Sequence, residues 1–291
     1  MADARAKVTV PAVRARKGGD RLTMVTAYDF PSAQIASEAG IDMILVGDSV
    51  GNAVHGLEDT LRVTVDMMVL HGAAVARAKP HSLVVVDMPW LSYHVSIEEA
   101  IRNAGRMVQE GGAEAVKLEG ARPEVVERIV DAEIPVQGHL GLTPQSVHAM
   151  GGYRVQGKAL DAARRMIADA RALEAAGAFS LVLEGVPDLL GEVITREVGI
   201  PTIGIGAGPA TDGQVLVFHD VLGIGGGRYP KFVRSYADLR SESISALARY
   251  ADDVRAGSFP AAAETYHMSE DVTAELLEEV LASGDLVPSQ S

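Results

Sequence analysis

Short runs of Val, Ile, Leu and Met without polar alternation recur along the chain, at 22–27, 42–47, 83–87, 114–118, 134–138, 180–184, 201–205 and 215–219. Such runs fit strands buried on both faces of a parallel sheet, where neither face has to be polar. Segments with helical spacing lie between them. Ser96-Ile-Glu-Glu99 reads as a capping box opening a helix over 97–110, with Gly111-Gly112 as its stop, and Gly40, Gly177 and Gly199 punctuate in the same way. About eight strand–helix units in roughly 250 residues are what a (β/α)8 barrel requires. No repeat, low-complexity tract or linker interrupts them, so the pattern predicts an α/β fold, a single-domain TIM barrel over 1–240. From 241 onward the character changes. Apolar residues at helical spacing over 241–256 and 269–283 predict a C-terminal helical extension spanning 241–291, whose apolar stripes need cover from the barrel or from a neighbouring subunit.

The polar residues at the strand ends carry the chemistry. Met43-Ile-Leu-Val-Gly-Asp48 and Leu83-Val-Val-Val-Asp87 close on aspartates, and Leu181-Val-Leu-Glu184 closes on a glutamate. In a barrel, the C-terminal strand ends and the loops after them form the catalytic face. That face would gather Asp48 and Ser49 after the second strand, Asp87 at the third, Lys117 and Glu119 at the fourth, His139 at the fifth and Glu184 at the sixth. Lys117 and Glu119 are two apart and so point the same way from a strand. Carboxylates packed this closely repel and call for a cation, for which Mg2+, a hard ion that takes oxygen ligands, is suited. Each residue also has a plainer role open to it. An acid at a strand end often caps the next helix, Lys117 could pair with Glu119, His139 could be a turn residue, and Tyr28 and Asp29 read as the turn into the first helix. A barrel whose acids only cap helices would be a non-catalytic scaffold.

Composition narrows the class. A formal charge of -13 over 291 residues opposes a nucleic-acid partner, since phosphate binding needs clustered Lys and Arg. The absence of cysteine excludes disulfides, thiolate metal sites and a cysteine nucleophile. With no apolar signal segment at the start and no membrane-length apolar run, the expectation is a cytoplasmic protein with no membrane partner.

Gly47-Asp-Ser49, Val86-Asp-Met-Pro89, Val116-Lys-Leu-Glu-Gly120, Gly138-His-Leu-Gly-Leu-Thr-Pro-Gln145, Leu183-Glu-Gly185, Gly204-Ile-Gly-Ala-Gly208 and Pro230-Lys-Phe-Val233 together resemble the ketopantoate hydroxymethyltransferase (3-methyl-2-oxobutanoate hydroxymethyltransferase) family. The resemblance runs from about Val8 to Tyr236. It implies a Mg2+-dependent one-carbon transferase of pantothenate and coenzyme A biosynthesis, passing a hydroxymethyl group from the co-substrate 5,10-methylenetetrahydrofolate to 3-methyl-2-oxobutanoate to give 2-dehydropantoate. By the same resemblance Asp48, Asp87 and Glu119 would serve the metal, Glu119 directly or through water. Asp48, Ser49, Asp87, Lys117 and His139 would bind substrate, and Glu184 would be the catalytic base that forms a Mg2+-stabilised enolate. The family further implies a homodecamer. Thr26-Ala-Tyr-Asp29 and Glu38-Ala-Gly-Ile-Asp42 also resemble phosphoenolpyruvate mutase and isocitrate lyase relatives, Mg2+ enzymes of 2-oxo acids; the lyases among them use a lid cysteine, which this chain lacks. The stretch Gly51-Asn-Ala-Val-His-Gly56 is the candidate lid.

Overall fold

The computed structural model describes residues 5–227 and 229–283. Contacts group the chain into two compact units, Met1–Asp238 and Leu239–Ser291. In the first, eight parallel strands close a barrel in sequence order, each hydrogen-bonded to the next and β8 to β1. They are β1 (Leu22–Thr26), β2 (Met43–Val46), β3 (Leu83–Asp87), β4 (Ala115–Glu119), β5 (Val136–Gly141), β6 (Ser180–Glu184), β7 (Thr202–Ile205) and β8 (Gly213–Leu216). The architecture is the TIM barrel expected from the eight runs.

Side-chain alternation along these strands divides the apolar residues into two cores. Met24, Met43, Leu45, Leu83, Val85, Ala115, Val182, Ile203 and Val215 fill the barrel interior, which Val13 of the helix Val10–Arg14 joins. Their neighbours Val25, Ile44, Val46, Val84, Val86 and Val116 pack outward with Met68, Val75, Ala100 and Met107 of the surrounding helices. Both faces of each strand are thus covered, which is why the runs show no alternation in sequence.

Boundaries of three strands, β4, β5 and β8, differ from the expected ones in ways that matter for the site. β4 extends to Glu119 and β5 to Gly141, so Glu119 and His139 are paired strand residues rather than loop residues. β5 starts only after Pro135, which has no N–H to give the ladder. β8 ends at Leu216 because the Phe218 N–H turns to Thr26 Oγ1 at 3.0 Å and a helical turn begins. Ser96 caps Ile97–Gln109 by accepting from Glu99 N at 3.1 Å.

The opposite end of the barrel is tied by one carboxylate. Asp212 accepts from Lys17 Nζ at 2.9 Å, Gly18 N at 2.9 Å and Thr202 N at 2.8 Å. Burial alone would raise its pKa, but the bonds from Thr202, Lys17 and Gly18 outweigh that and hold it below the usual carboxylate range. A depressed folded pKa gives stability that is present above the unfolded value and lost as pH falls through the folded one. Asp212→Asn should therefore cost about 2 kcal/mol at pH 7. Denaturant titrations should show the gap from wild type closing in acid, as pH falls through the depressed folded value; a gap independent of pH would mean that packing rather than charge is lost.

The second unit contains the helices Leu239–Ala256 and Glu270–Ser283. None of its described residues is buried, and Ile244, Leu247, Tyr250 and Val254 on the first helix, with Leu276, Leu277 and Leu281 on the second, are exposed.

Candidate active site

The layer of inward-facing positions above the apolar interior is polar. On β3 the sequence of inward residues runs Leu83, Val85, Asp87; on β4, Ala115, Lys117, Glu119; on β5, Gln137, His139; on β6, Ser180, Val182, Glu184. Period-two alternation and parallel register together place four neighbouring strand ends around one point. Asp48 and Ser49 enter from the turn after β2. Gly47 makes room for them: a Cβ there would lie 2.8 Å from Ser49 Oγ and 3.4 Å from Asp87 Oδ2. All seven side chains, Asp48, Ser49, Asp87, Lys117, Glu119, His139 and Glu184, line one cavity of about 100 Å3.

The electrostatics follow from burial. Lys117 Nζ lies 2.8 Å from Asp87 Oδ1 and 3.2 Å from His139 Nδ1. Burial works against its charge, but Asp87, Glu119 and Asp48 outweigh it and raise its pKa above the ordinary lysine value. Asp48 is raised well above the ordinary carboxylate range by burial and by the charges of Asp87 and Glu119. Burial also raises Asp87, against the pull of Lys117, and its Oδ2 accepts from Asp48 N at 3.0 Å. Glu119 goes the other way. Burial opposes ionisation, but His139, Lys117 and the Gln145 N–H favour the carboxylate and lower its pKa. His139 sits between acids, Nδ1 3.5 Å from Glu119 Oε1 and Nε2 3.4 Å from Glu184 Oε2. Burial and Lys117 disfavour its imidazolium, yet the two glutamates prevail and push it up to about 9.

A larger chamber of about 1060 Å3 opens beside this cluster. It shares Asp48, Ser49 and Glu184 with the small cavity and is walled by Leu142, Tyr153, Val155, Val186 and Phe232, with Arg154, Asp220 and Lys231 also lining it. Phe232 lies over Gly206, where a Cβ would meet the ring at 2.7 Å, and Gly206 has φ +64°. The glycine-rich 204–208 segment thus forms a chamber wall.

The sequence from residue 7 to 262 matches the family model described as ketopantoate hydroxymethyltransferase. The chain belongs to that family. It is 54% identical over 263 residues to 3-methyl-2-oxobutanoate hydroxymethyltransferase of Pelobacter propionicus, covering 89% of this chain and 97% of that protein. It is 52% identical to the enzyme of the same name from Syntrophomonas wolfei, over 92% and 98% of the two chains. Among solved structures, 2,3-dimethylmalate lyase, a member of the phosphoenolpyruvate mutase/isocitrate lyase superfamily, shares the fold at TM-score 0.56 and 16% identity, over 96% of this chain and 99% of that one. Phosphonopyruvate hydrolase, solved with oxalate and Mg2+, does so at 0.55 and 14%, over 94% and 96%.

In this ketopantoate hydroxymethyltransferase family member the motifs read from sequence meet at one end of the barrel, with two revisions of detail. Lys117 pairs with Asp87, its partner across β3 and β4, and not with Glu119. His139 is a strand residue at the centre of the cluster, not a turn residue. Asp29 does cap the helix Phe30–Glu38, but its neighbour Tyr28 turns inward, its hydroxyl 2.8 Å from Ser49 Oγ. Tyr93 and Gln145, which no strand-end rule marks, complete the buried network from loops. An aromatic hydroxyl a few residues past an acidic strand end was the available signal for Tyr93. The stretch Gly51–Gly56 opens as the helical turn Val50–Ala53, and Asn52 faces the large chamber.

Proposed function

We propose that this chain is a Mg2+-dependent 3-methyl-2-oxobutanoate hydroxymethyltransferase, forming 2-dehydropantoate, tetrahydrofolate being released from 5,10-methylenetetrahydrofolate and water supplying the hydroxyl oxygen. The observation that carries the reading is the pairing of a buried carboxylate–lysine cluster with a separate glutamate, Glu184, that lines both the small cavity and the large chamber. Family membership supplies the substrates.

The donor set fits Mg2+. Asp48 and Asp87 are both buried and disfavoured as anions, Asp48 by Asp87 and Glu119 beside it and Asp87 by burial that the single Lys117 ammonium offsets only in part, so both would gain from a second cation. Among the described residues no three His, Asp or Glu side chains form a ready cage. Mg2+ does not need one, because it commonly takes one or two carboxylates and completes its octahedron with water and substrate oxygens. Asp48 and Asp87 would hold it, with Glu119 reaching it through water. When bound, the ion would supply Lewis acidity to the keto group of a 2-oxo acid.

The protein's own side chains do the rest. The Lys117 ammonium and Ser49 hydroxyl anchor the substrate carboxylate, with His139 as a further polar contact. Glu184 removes the C3 proton; water adds to the methylene carbon as its two bonds to folate nitrogens break and tetrahydrofolate leaves, and the enolate forms its C–C bond to that one-carbon unit, whose oxygen becomes the product hydroxyl. The large chamber takes that carrier, its apolar walls covering the ring system and Arg154 and Lys231 meeting its glutamyl carboxylates. A carrier seated in the adjoining chamber would limit solvent access to the carbanion.

Oligomerisation as a homodecamer is part of the proposal, supported by the exposed apolar residues of the C-terminal unit. So is action in the cytoplasm; no described helix is long and apolar enough to cross a membrane.

Purified protein given both substrates and Mg2+ should form 2-dehydropantoate by mass spectrometry, and a chelator should abolish it. Exchange of C3–H with solvent deuterium without product would keep the enolate step and remove folate as donor. Neither product nor exchange would favour the alternative, a phosphoenolpyruvate mutase-like 2-oxo-acid enzyme.

A further inference from the structure

The hydrogen-bond network around Gln145 has a fixed direction. Gln145 lies in the helical turn Pro144–Ser146 after β5 and is buried. Its Nε2 is 2.8 Å from Asp48 Oδ2 and 3.0 Å from Met88 O, and its Oε1 is 2.6 Å from Tyr93 Oη. Met88 O can only accept, so the NH2 must face it and Asp48. Tyr93 Oη accepts from Glu119 N at 3.1 Å and donates its own proton to Gln145 Oε1 at 2.6 Å in preference to Glu119 O, which lies 3.4 Å away. The Gln145 backbone N–H donates to Glu119 Oε2 at 3.0 Å. One residue therefore holds two of the cluster's carboxylates, and no member of the network can reverse without leaving a buried donor or acceptor unmet.

We propose that Gln145 is a positioning residue that sets the cation selectivity of the site, an inference resting on the Mg2+ reading above. With Oδ2 accepting from the amide, the Asp48 carboxylate plane is fixed and Oδ1 is its unshared oxygen, which disfavours binding an ion through both oxygens at once. With Oε2 committed to the backbone and Oε1 turned toward His139, Glu119 is held back. Ca2+ takes six to eight oxygens and favours carboxylates that bind through both, whereas Mg2+ takes six at shorter range. Carboxylates restricted to single oxygens suit the smaller ion.

The test is calorimetric titration of MgCl2 and CaCl2 separately into the full-length protein, wild type and Gln145→Met, with circular dichroism to confirm folding. Wild type should prefer Mg2+. In Gln145→Met the affinity for Mg2+ should fall about tenfold or more, in line with the loss of other groups that orient metal ligands. Affinity for Ca2+ should fall far less, so the Mg2+/Ca2+ ratio drops by a similar factor. A merely structural role would weaken both ions alike. Tyr93→Phe, which keeps the amide but removes its lock, should lower the ratio severalfold and carries the test if Gln145→Met does not fold. An unchanged ratio in the folded variants overturns the proposal, as does a wild type that binds both ions equally, which leaves the Mg2+ reading standing. A wild type that binds neither removes both.

Discussion

Replacing Glu184 by Gln is expected to lower kcat about a thousandfold, within the range seen when a general base is removed, while Mg2+ affinity stays within about twofold of wild type. Geometry separates the two effects. Glu184 ends β6, keeps some contact with solvent, and stands 3.4 Å from His139 Nε2, on the far side of that ring from Glu119. It thus stands outside the Asp48–Asp87–Glu119 group. Glutamine keeps the volume and an oxygen for His139 to meet, so a loss of rate reports on the missing base and not on a collapsed cavity. Deuterium exchange at C3 of 3-methyl-2-oxobutanoate, measured without folate, isolates the step. Exchange at the wild-type rate in the variant would hand the role to another group; lost exchange with intact Mg2+ binding would establish it.

The barrel was legible because its strands are covered on both faces. Runs such as Leu83–Asp87 carry no alternation, and a charge is tolerated only where the strand reaches the catalytic end. The inward direction of Lys117 and Glu119 was legible too, from their two-residue spacing. Their partners were not. Residues i and i+2 on one strand are roughly 6.6 Å apart, whereas neighbouring strands lie about 4.8 Å apart, so register decides who touches whom. The β3–β4 register puts Asp87 beside Lys117, and the β4–β5 register puts His139 beside Glu119. Nothing local in the sequence encodes either register.

Loop contributions were the least legible part. Tyr28, Tyr93 and Gln145 reach the cluster from turns whose conformation depends on tertiary contacts, and Tyr28 follows a strand in a segment that reads equally well as a helix start. Asp29 shows that the plainer reading was right one residue later, with its side chain accepting from Ser32 N at 2.8 Å. The positions of the C-terminal helices were readable from apolar spacing, since Leu239–Ala256 and Glu270–Ser283 lie within two residues of the expected 241–256 and 269–283.

Lys117→Met is expected to be the most destabilising single change at the site, and conditionally so. The ammonium is buried 2.8 Å from Asp87 and neighbours three carboxylates. Removing one partner of a buried pair commonly costs about 3–5 kcal/mol, because the charge left behind is unsolvated. In a chain of this size that corresponds to a fall in Tm of roughly 10 °C. The deficit should depend on pH with a definite sign. Asp48 and Asp87 have folded pKa values above their unfolded ones. The folded state thus holds more protons between those values, and its stability declines as pH rises through them. Loss of Lys117 removes the cation that restrains Asp87, so the slope steepens and the deficit is larger at pH 8 than at pH 5. Mg2+ should then repair much of it, by supplying the positive charge that the variant lacks. Scanning calorimetry of both proteins at the two pH values, with and without Mg2+, reads all of this. A deficit equal under every condition would reduce Lys117 to a packing residue; one that shrinks with acid and with Mg2+ identifies it as the counterion that lets the metal-free acid cluster fold.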